Sequence, residues 1–591
     1  MYRAPVSEIS HTLKHVAGLK SAIENGELGD LSEDLVDAVL EEAGKFASDR
    51  IAPLNRDADL IGAKHENGVV TTPPGFKETY KAWTDGGWNA IAGPEEYGGQ
   101  GLPNMLSVAA AEMWNSASMA FGLCPLLTIG AIEALDKHGS QELKDTYLEN
   151  LISGKWTGTM NLTEPQCGSD LAALKTSAKP VGDGTYKIYG QKIFITFGEH
   201  DMAENICHLV LARLPDAPAG TRGISLFLVP KFLVNNDGSL GERNDVFCQS
   251  IEHKIGIHGS PTCVMIYGDG FEGSDPGAIG YLIGEENRGL NCMFTMMNNA
   301  RLNVGTQGVS IGEAAYQHAL AYANDRKQGK AADYTNGEMA PIIYHPDVQR
   351  NLLTMKSMTE AARGICYSCA HALDMAQTKD GDEAKFWSER GGLLTPIAKA
   401  FATDVGCEAA TIGVQIHGGM GFIEETGAAQ FMRDGRINPI YEGTNGIQSI
   451  DLVTRKLPLS GGDSVKEFIT ELRGIVDDIR KSNRDGFGQT SELLDQAIND
   501  VEETTNWLME RLSNGEMNEA LAGATPYLRQ FGITAGGCYL AKSALASDGI
   551  ERIGVARFFA ENFAAECAAL KQTVTGGAES LLLAGGLLKA G

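Results

Sequence analysis

Basic residues are scarce in this chain: 49 lysines and arginines stand against 76 aspartates and glutamates, giving a formal net charge of -27 over 591 residues. That balance repels phosphate backbones and anionic lipid, and no local basic run compensates, so no nucleic-acid partner is expected. No uninterrupted apolar run of bilayer length is evident either. The terminal Leu581-Leu-Leu-Ala-Gly-Gly-Leu-Leu588 is short and broken by glycine, so integral membrane association is not expected. The start, Met1-Tyr-Arg-Ala-Pro-Val-Ser-Glu-Ile-Ser, has no apolar core and no small-residue cleavage site; it does not read as a secretory signal, and the expected location is cytoplasmic. The 11 cysteines are scattered and odd in number, which argues against a disulfide framework. Cys366 and Cys369 have CxxC spacing with His371 nearby, but no second pair accompanies them and their surroundings read as helix. His11 and His15 lack a third ligand. No metal is expected. There is no internal repeat and no low-complexity tract, and the glycines at 98–101 and 418–421 lack the strand-turn-helix setting of a dinucleotide loop.

What is present is a hydrophobic fraction of 43% with only 21% charged residues, enough for large cores, in a chain too long for a single one. From Leu31 to about Ile152 apolar residues recur at three and four positions, as in Val36, Val39, Leu40, Ala43 and Phe46, the stripe of packed amphipathic helices. Pro94 to Pro103 is a turn-rich loop. From about Gly158 short β-rich runs take over: Tyr186-Lys-Ile-Tyr189, Lys192-Ile-Phe-Ile-Thr196, Leu209-Val-Leu-Ala212 and Gly223-Ile-Ser-Leu-Phe-Leu-Val229. Helical spacing returns after Gly289 and runs to about Lys456. Leu457-Pro-Leu-Ser-Gly-Gly-Asp463 reads as a boundary, and a further alanine-rich helical segment follows, with a break at Arg484-Asp-Gly-Phe-Gly488. The expected fold is mainly α with a small central β domain. Its expected parts are residues 1–157 (helical), 158–288 (β), 289–456 (helical bundle) and 457–591 (additional helices).

One carboxylate stands out. Glu442 lies in Asn438-Pro-Ile-Tyr-Glu-Gly-Thr-Asn-Gly446, between apolar residues and glycine. Desolvation there raises a carboxyl pKa, which suits a base working near neutral pH. An exposed glutamate in an ordinary turn is the competing reading of this segment taken alone.

Five landmarks in order carry a resemblance. They are Met160-Asn-Leu-Thr-Glu-Pro-Gln-Cys-Gly-Ser-Asp170; Gly190-Gln-Lys-Ile-Phe-Ile-Thr196 running on to His208-Leu-Val-Leu-Ala-Arg213; Lys254-Ile-Gly-Ile-His-Gly-Ser-Pro-Thr-Cys263 with Gly284-Glu-Glu-Asn-Arg-Gly-Leu290; Gln415-Ile-His-Gly-Gly-Met-Gly-Phe422; and Tyr441-Glu-Gly-Thr444. Together they resemble the acyl-CoA dehydrogenase family. The resemblance implies a helical domain, a β domain and a four-helix bundle with noncovalent FAD between them, and α,β-desaturation of an acyl-CoA thioester. It makes Glu442 the base that removes the α-proton, its own N–H helping to hold the thioester carbonyl. Leu162, Thr163 and Ser169 match flavin-lining positions, and Phe194, where the family commonly has tryptophan, and Thr196 match the other side and edge of the ring. Arg326 matches an arginine that meets the FAD pyrophosphate of a neighbouring subunit, although a polar insertion, Lys330 to Met339, replaces the usual continuation. Gln415, Gly418 and Gly419 match the segment that meets the adenosine end across the same interface. Thr444 and Gly446 match further FAD contacts; Ser169, Arg301, Tyr441 and Gly443 match the substrate wall.

Sharing FAD implies an oligomer, and the added carboxyl-terminal helices imply a homodimer. Electron-transferring flavoprotein is the implied acceptor. The opening Tyr2-Arg-Ala-Pro-Val-Ser7, Gly18-Leu19, the His253 to Cys263 form and Ala340-Pro-Ile-Ile-Tyr-His-Pro-Asp-Val348 are similar to long bacterial members acting on 3-(methylthio)propanoyl-CoA in dimethylsulfoniopropionate breakdown. Relatives in the β-oxidation of medium and long fatty acyl chains share these features. An oxidase would share fold, flavin and base. A noncatalytic, DNA-associated flavoprotein of the same fold would need a basic carboxyl-terminal surface, and residues 465–591 are not rich in lysine and arginine.

Overall fold

The computed structural model describes residues 1–335 and 339–589. Three residues of the expected insertion and the last two of the expected carboxyl-terminal segment lie outside them. The chain forms two compact units, one of Met1–Glu42, Val108–Ser116 and Arg301–Gly591, the other of Ala43–Ser107 and Ala117–Ala300.

The second unit is built on an eight-stranded sheet. Its order is Val246–Ile251, Thr262–Tyr267, Tyr186–Thr196, Ala278–Ile283, Ser225–Pro230, Asn205–Ala212, Trp156–Asn161, with Ser177–Pro180 also paired to Tyr186–Thr196. Neighbours are antiparallel except the last pair, Trp156–Asn161 beside Asn205–Ala212. Alternation along Asn205–Ala212 sends its apolar residues to two cores, so the strand is buried throughout. Cys207, Leu209 and Leu211 enter one core with Leu226, Leu228 and the helix Met119–His138, while Val210 and Ala212 enter another with Phe227, Val229 and Met265. The two β-rich runs expected at 186–189 and 192–196 are one strand.

Two expectations are corrected here. Met119–His138 is, by length and composition, long and apolar enough to cross a membrane. It is apolar on all sides because it is a core helix, with Leu126, Leu127, Ala131, Ile132 and Leu135 buried among sheet residues. The region expected to be helical from Leu31 to Ile152 also contains a hairpin, Lys64–Glu66 with Val69–Thr71. Its turn is Asn67-Gly68, both at positive φ (51° and 80°), the turn chemistry that a two-residue hairpin needs.

In the first unit, the segment from Arg301 to Asp325 of the helix Gly289–Asp325, together with Pro346–Thr378 and Gly381–His417, forms the helical frame of the candidate site. A Cβ at Gly308 would lie 2.2 Å from the Ala402 carbonyl oxygen, so the first and third of these helices meet backbone to backbone. Cys366 and Cys369 are buried one turn apart, their thiols directed at the Ala398 and Gly391 carbonyls at 3.9 and 3.7 Å, as the helical reading of that pair expects. The short piece Val108–Ser116 is tied in by Glu112, which accepts from Arg363 Nη2 at 2.7 Å and Tyr367 Oη at 2.6 Å. Beyond Leu457 come Asp463–Ser482, Thr490–Ser513, Ala524–Leu545, Ile550–Phe559 and Glu566–Gly576. Ala524–Leu545 packs close on the frame, where a Cβ at Gly532 would fall 2.4 Å from the Phe401 ring.

Candidate active site

Glu442 stands on a tight connection between Pro439 and the helix Asn445–Asp451, and its φ is +53°, a region that non-glycine residues rarely occupy. Gly443 follows at φ +86°. Local bonds fix this unusual backbone. Tyr441 N–H donates to Ile437 O at 3.2 Å and Asn445 N–H to Pro439 O at 3.0 Å. Thr444 caps the helix, its Oγ1 accepting from Ile447 N–H at 3.3 Å. The buried Gln448 side chain reaches back to Gly443 O at 3.3 Å. The Tyr441 hydroxyl donates to Gln307 Oε1, and Gln307 Nε2 in turn donates to Asn115 Oδ1 at 3.2 Å. Strain held by so many contacts is a mark of a functional position.

Burial pushes the Glu442 carboxyl above its ordinary value, against the opposing pull of Arg301 and Lys399. Arg301 is buried, lies 3.6 Å from Asp451 and, among the described residues, has no hydrogen-bond partner for Nε. Lys399, wholly buried on Gly381–His417, donates to Asn445 Oδ1 at 2.9 Å, and burial brings its ammonium down to about 7 despite Glu442 and Asp404. Asn445 Nδ2 donates to Asp404 Oδ1 at 2.8 Å and Thr403 Oγ1 at 3.0 Å. The first unit thus gathers Arg301, Tyr441, Glu442, Gly443, Thr444 and Gly446 around one helix start, and Gly446 is exposed.

A second group lies on the other unit. Phe194 sits at a β-bulge, where two residues of Tyr186–Thr196 oppose one of Thr262–Tyr267, and its φ is +61°. The bulge turns the ring outward, leaving it 58% exposed. Ile193 N–H donates to Thr163 O at 2.9 Å, and Lys192 Nζ donates to Leu162 O at 3.0 Å and Glu164 Oε1 at 2.9 Å, so Leu162 and Thr163 are pinned beside Phe194. Burial alone would raise the Glu164 carboxyl; the Lys192 ammonium and the donors of Thr176 and Lys175 outweigh it and hold it down to about 2. Thr196 is half-buried at the end of the strand, and Ser169 is exposed in the bend that follows the strand Trp156–Asn161.

Arg326, Gln415, Gly418 and Gly419 form a third, exposed group. Tyr322, one turn before Arg326, stacks on His417 with centroids 4.3 Å apart, placing these residues at one common end of their two helices. No hydrogen bond or ion pair joins them to Glu442 among the described residues. Arg326 Nη2 donates to Gln328 Oε1 at 3.3 Å.

Lys399, Asn445 and Gln448 did not emerge from the sequence as site residues. Lys399 had a visible signal, a single cation inside Leu393-Leu-Thr-Pro-Ile-Ala-Lys-Ala-Phe-Ala402. The roles of Asn445 and Gln448 depend on how the connection folds back, which no spacing reveals.

Comparison with known proteins places this geometry in a family. The acyl-CoA dehydrogenase N-terminal, middle and C-terminal domains match residues 34–155, 159–269 and 287–457, and an acetyl-CoA dehydrogenase C-terminal-like domain matches 464–584. The chain is 44% identical, over 99% of both sequences, to a 3-methylmercaptopropionyl-CoA dehydrogenase of Ruegeria pomeroyi. It is 31% identical, over 95% of both, to a broad-specificity linear acyl-CoA dehydrogenase of Mycobacterium tuberculosis. It shares the fold of Caenorhabditis elegans ACDH-11, solved in complex with C11-CoA, with a TM-score of 0.77, 19% identity, and coverage of 97% of this chain and 95% of that one. With four family domains in sequence order and a relative that matches end to end, this chain belongs to the acyl-CoA dehydrogenase family.

Proposed function

We propose that this protein is an FAD-dependent dehydrogenase converting 3-(methylthio)propanoyl-CoA to 3-(methylthio)acryloyl-CoA in dimethylsulfoniopropionate breakdown, with Glu442 as the base. The observation that carries the chemistry is the strained, desolvated Glu442 carboxylate; what supports the substrate is likeness to the Ruegeria pomeroyi enzyme over the whole length.

The residues present fit a flavin. Phe194 offers an outward aromatic face, with Leu162 and Thr163 pinned beside it and Ser169 and Thr196 on the same unit. Thr444 and Gly446 would hold the cofactor at the helix start, and Arg326, Gln415, Gly418 and Gly419 that of a second subunit in a homodimer. When bound, FAD would supply the acceptor for the β-hydride, with electron-transferring flavoprotein as the proposed partner that would take on the electrons.

Glu442 accepts the α-proton. Its raised pKa makes it basic enough to compete for a weakly acidic C–H, and Arg301 and Lys399 keep enough of it ionised. Its own N–H donates to no protein acceptor among the described residues, so it is free to polarise the thioester carbonyl as negative charge builds there. Tyr441, Gly443 and Arg301 shape the wall around this carboxylate.

Anaerobic bleaching of the flavin tests both parts. Rapid bleaching by 3-(methylthio)propanoyl-CoA and its short isosteres is expected; preference for long straight chains would instead make this a β-oxidation enzyme. Glu442→Gln should retain FAD and acyl-CoA binding yet slow bleaching about 10³-fold. Bleaching at the wild-type rate would remove Glu442 from the mechanism.

A further inference from the structure

Lys399 is a buried cation with no carboxylate at ion-pair distance among the described residues. Its recorded hydrogen-bond partner is the neutral Oδ1 of Asn445, three residues beyond Glu442. The neighbouring cation, Arg301, differs, for it faces Asp451 at 3.6 Å. Burying an ammonium without a direct counter-ion is costly, and a fold keeps one only where its charge or its bonds serve something else.

The groups that face it say what that is. Lys399 interacts with Glu442 first among charges, then Asp404, Arg301 and Cys407. Glu442 in turn faces Arg301 from the helix Gly289–Asp325, Lys399 from Gly381–His417, and the adjoining Tyr441 phenol. Asp404 is itself engaged by Asn445 Nδ2 at 2.8 Å, and Arg301 shares its field with Asp451 and Arg455. The Lys399 charge is therefore the less compensated of the two cations that act on the base.

We infer that Lys399 is a positioning residue for the reaction proposed above: through Asn445 it clamps the Glu442 connection to the helix Gly381–His417, and its positive charge holds Glu442 in the carboxylate form that accepts a proton. The clamp is bidirectional, because Asn445 also donates to Thr403 Oγ1 and to Ala400 O at 3.2 Å, closing the connection onto one turn of that helix. Removing the charge leaves burial less opposed, so Glu442 stays protonated to a higher pH.

The test is the pH profile of anaerobic flavin reduction by a saturating acyl-CoA, measured on the FAD-loaded protein for Lys399→Met, Lys399→Arg and Asn445→Ala, with Glu442→Gln alongside. Lys399→Met should move the acid limb upward by about one pH unit, a loss of about tenfold on that limb with recovery at alkaline pH. Lys399→Arg should keep the wild-type limb. Asn445→Ala, which loosens the clamp and leaves the charge, should lower the rate at every pH without moving the limb. Should Lys399→Met fail to retain FAD, Lys399→Gln keeps a donor toward Asn445 without the charge and carries the same expectation. A uniform rate loss with an unmoved limb in the neutral variants would overturn the inference, as would loss of the fold in both of them. Failure of the base assignment is read separately: rapid reduction by Glu442→Gln sinks Glu442, whereas an unmoved limb with Glu442 still essential sinks only Lys399.

Discussion

Two carboxylates in this protein show how the same physics serves different ends. At Glu164 and Lys192 both partners are buried, and the carboxylate collects Lys192, Thr176 Oγ1 at 2.6 Å and two backbone N–H groups at 2.8 and 3.0 Å. Lowering its pKa from 4.5 to about 2 corresponds to on the order of 3 kcal/mol. Desolvation, which brings Lys192 down to about 8, takes back a similar amount, as is usual for buried pairs. Because the folded pKa of Glu164 is depressed, its contribution is complete above about pH 4.5 and is lost as pH falls toward about 2. Glu164→Gln should therefore unfold at lower urea than wild type at pH 7, by about 3–5 kcal/mol because Lys192 is left unpaired. The gap should narrow by pH 3, where wild type has given up part of its own advantage. A gap independent of pH would show that the Glu164 charge is not what pins Leu162 and Thr163. Glu442, the proposed base, is the opposite case, a carboxyl that burial pushes up and that lacks such donors among the described residues. It was singled out in the sequence as a lone carboxylate in an apolar, glycine-rich segment where water would be scarce; its companions Lys399 and Asn445 were not, since they come together only once a helix and a connection are packed.

At the level of elements, one substitution should have opposite signs in two helices. Gly308 lies where Arg301–Asp325 crosses Gly381–His417, and an added Cβ would fall 2.2 Å from a carbonyl oxygen, which no side-chain rotation can relieve. Alanine gains up to about 1 kcal/mol in helix propensity, but overpacking against backbone costs about 1–3 kcal/mol, so Gly308→Ala should lower the melting temperature. Gly474, on Asp463–Ser482, is exposed with open space around it, and Gly474→Ala should raise stability by about 0.5–1 kcal/mol. Calorimetry of both variants decides; stabilisation by Gly308→Ala would mean the helices are not held at that distance. The same contrast explains what sequence periodicity could tell. It located the helical and β-rich stretches, because apolar spacing reports which faces are buried. It missed the hairpin at Lys64–Thr71, whose strands are three residues each and whose signal was the Asn67-Gly68 turn alone. It put Met119–His138 inside the helical region but missed its apolar length, because a helix buried on all sides has no amphipathic period. The bulge at Phe194 was equally invisible, being a matter of how two strands count against each other.

For the whole molecule, the proposed homodimer sets an acidic surface against a sticky one. Phe422 is 88% exposed, with Met420 and Ile423 beside it also exposed, on the segment that carries Gly418 and Gly419. Exposed apolar side chains gathered on a segment matched to a subunit interface are what a second copy would cover. Two copies each carrying a net charge of -27 repel at long range, and salt screens that repulsion over roughly 8–10 Å near physiological ionic strength while leaving apolar contact intact. Association should therefore tighten, not weaken, as salt rises from low to physiological levels. Phe422→Asp both removes the apolar contact and adds one more negative charge per copy, so it should shift sedimentation toward the monomer most strongly at low salt. If Gln415, Gly418 and Gly419 hold the cofactor of the other copy, FAD should be lost in parallel with the dimer. Sedimentation velocity with absorbance read at the flavin band follows both together. A wild-type monomer that keeps its FAD would overturn the shared-cofactor arrangement, while a Phe422→Asp dimer that keeps its FAD would move the interface elsewhere on the surface.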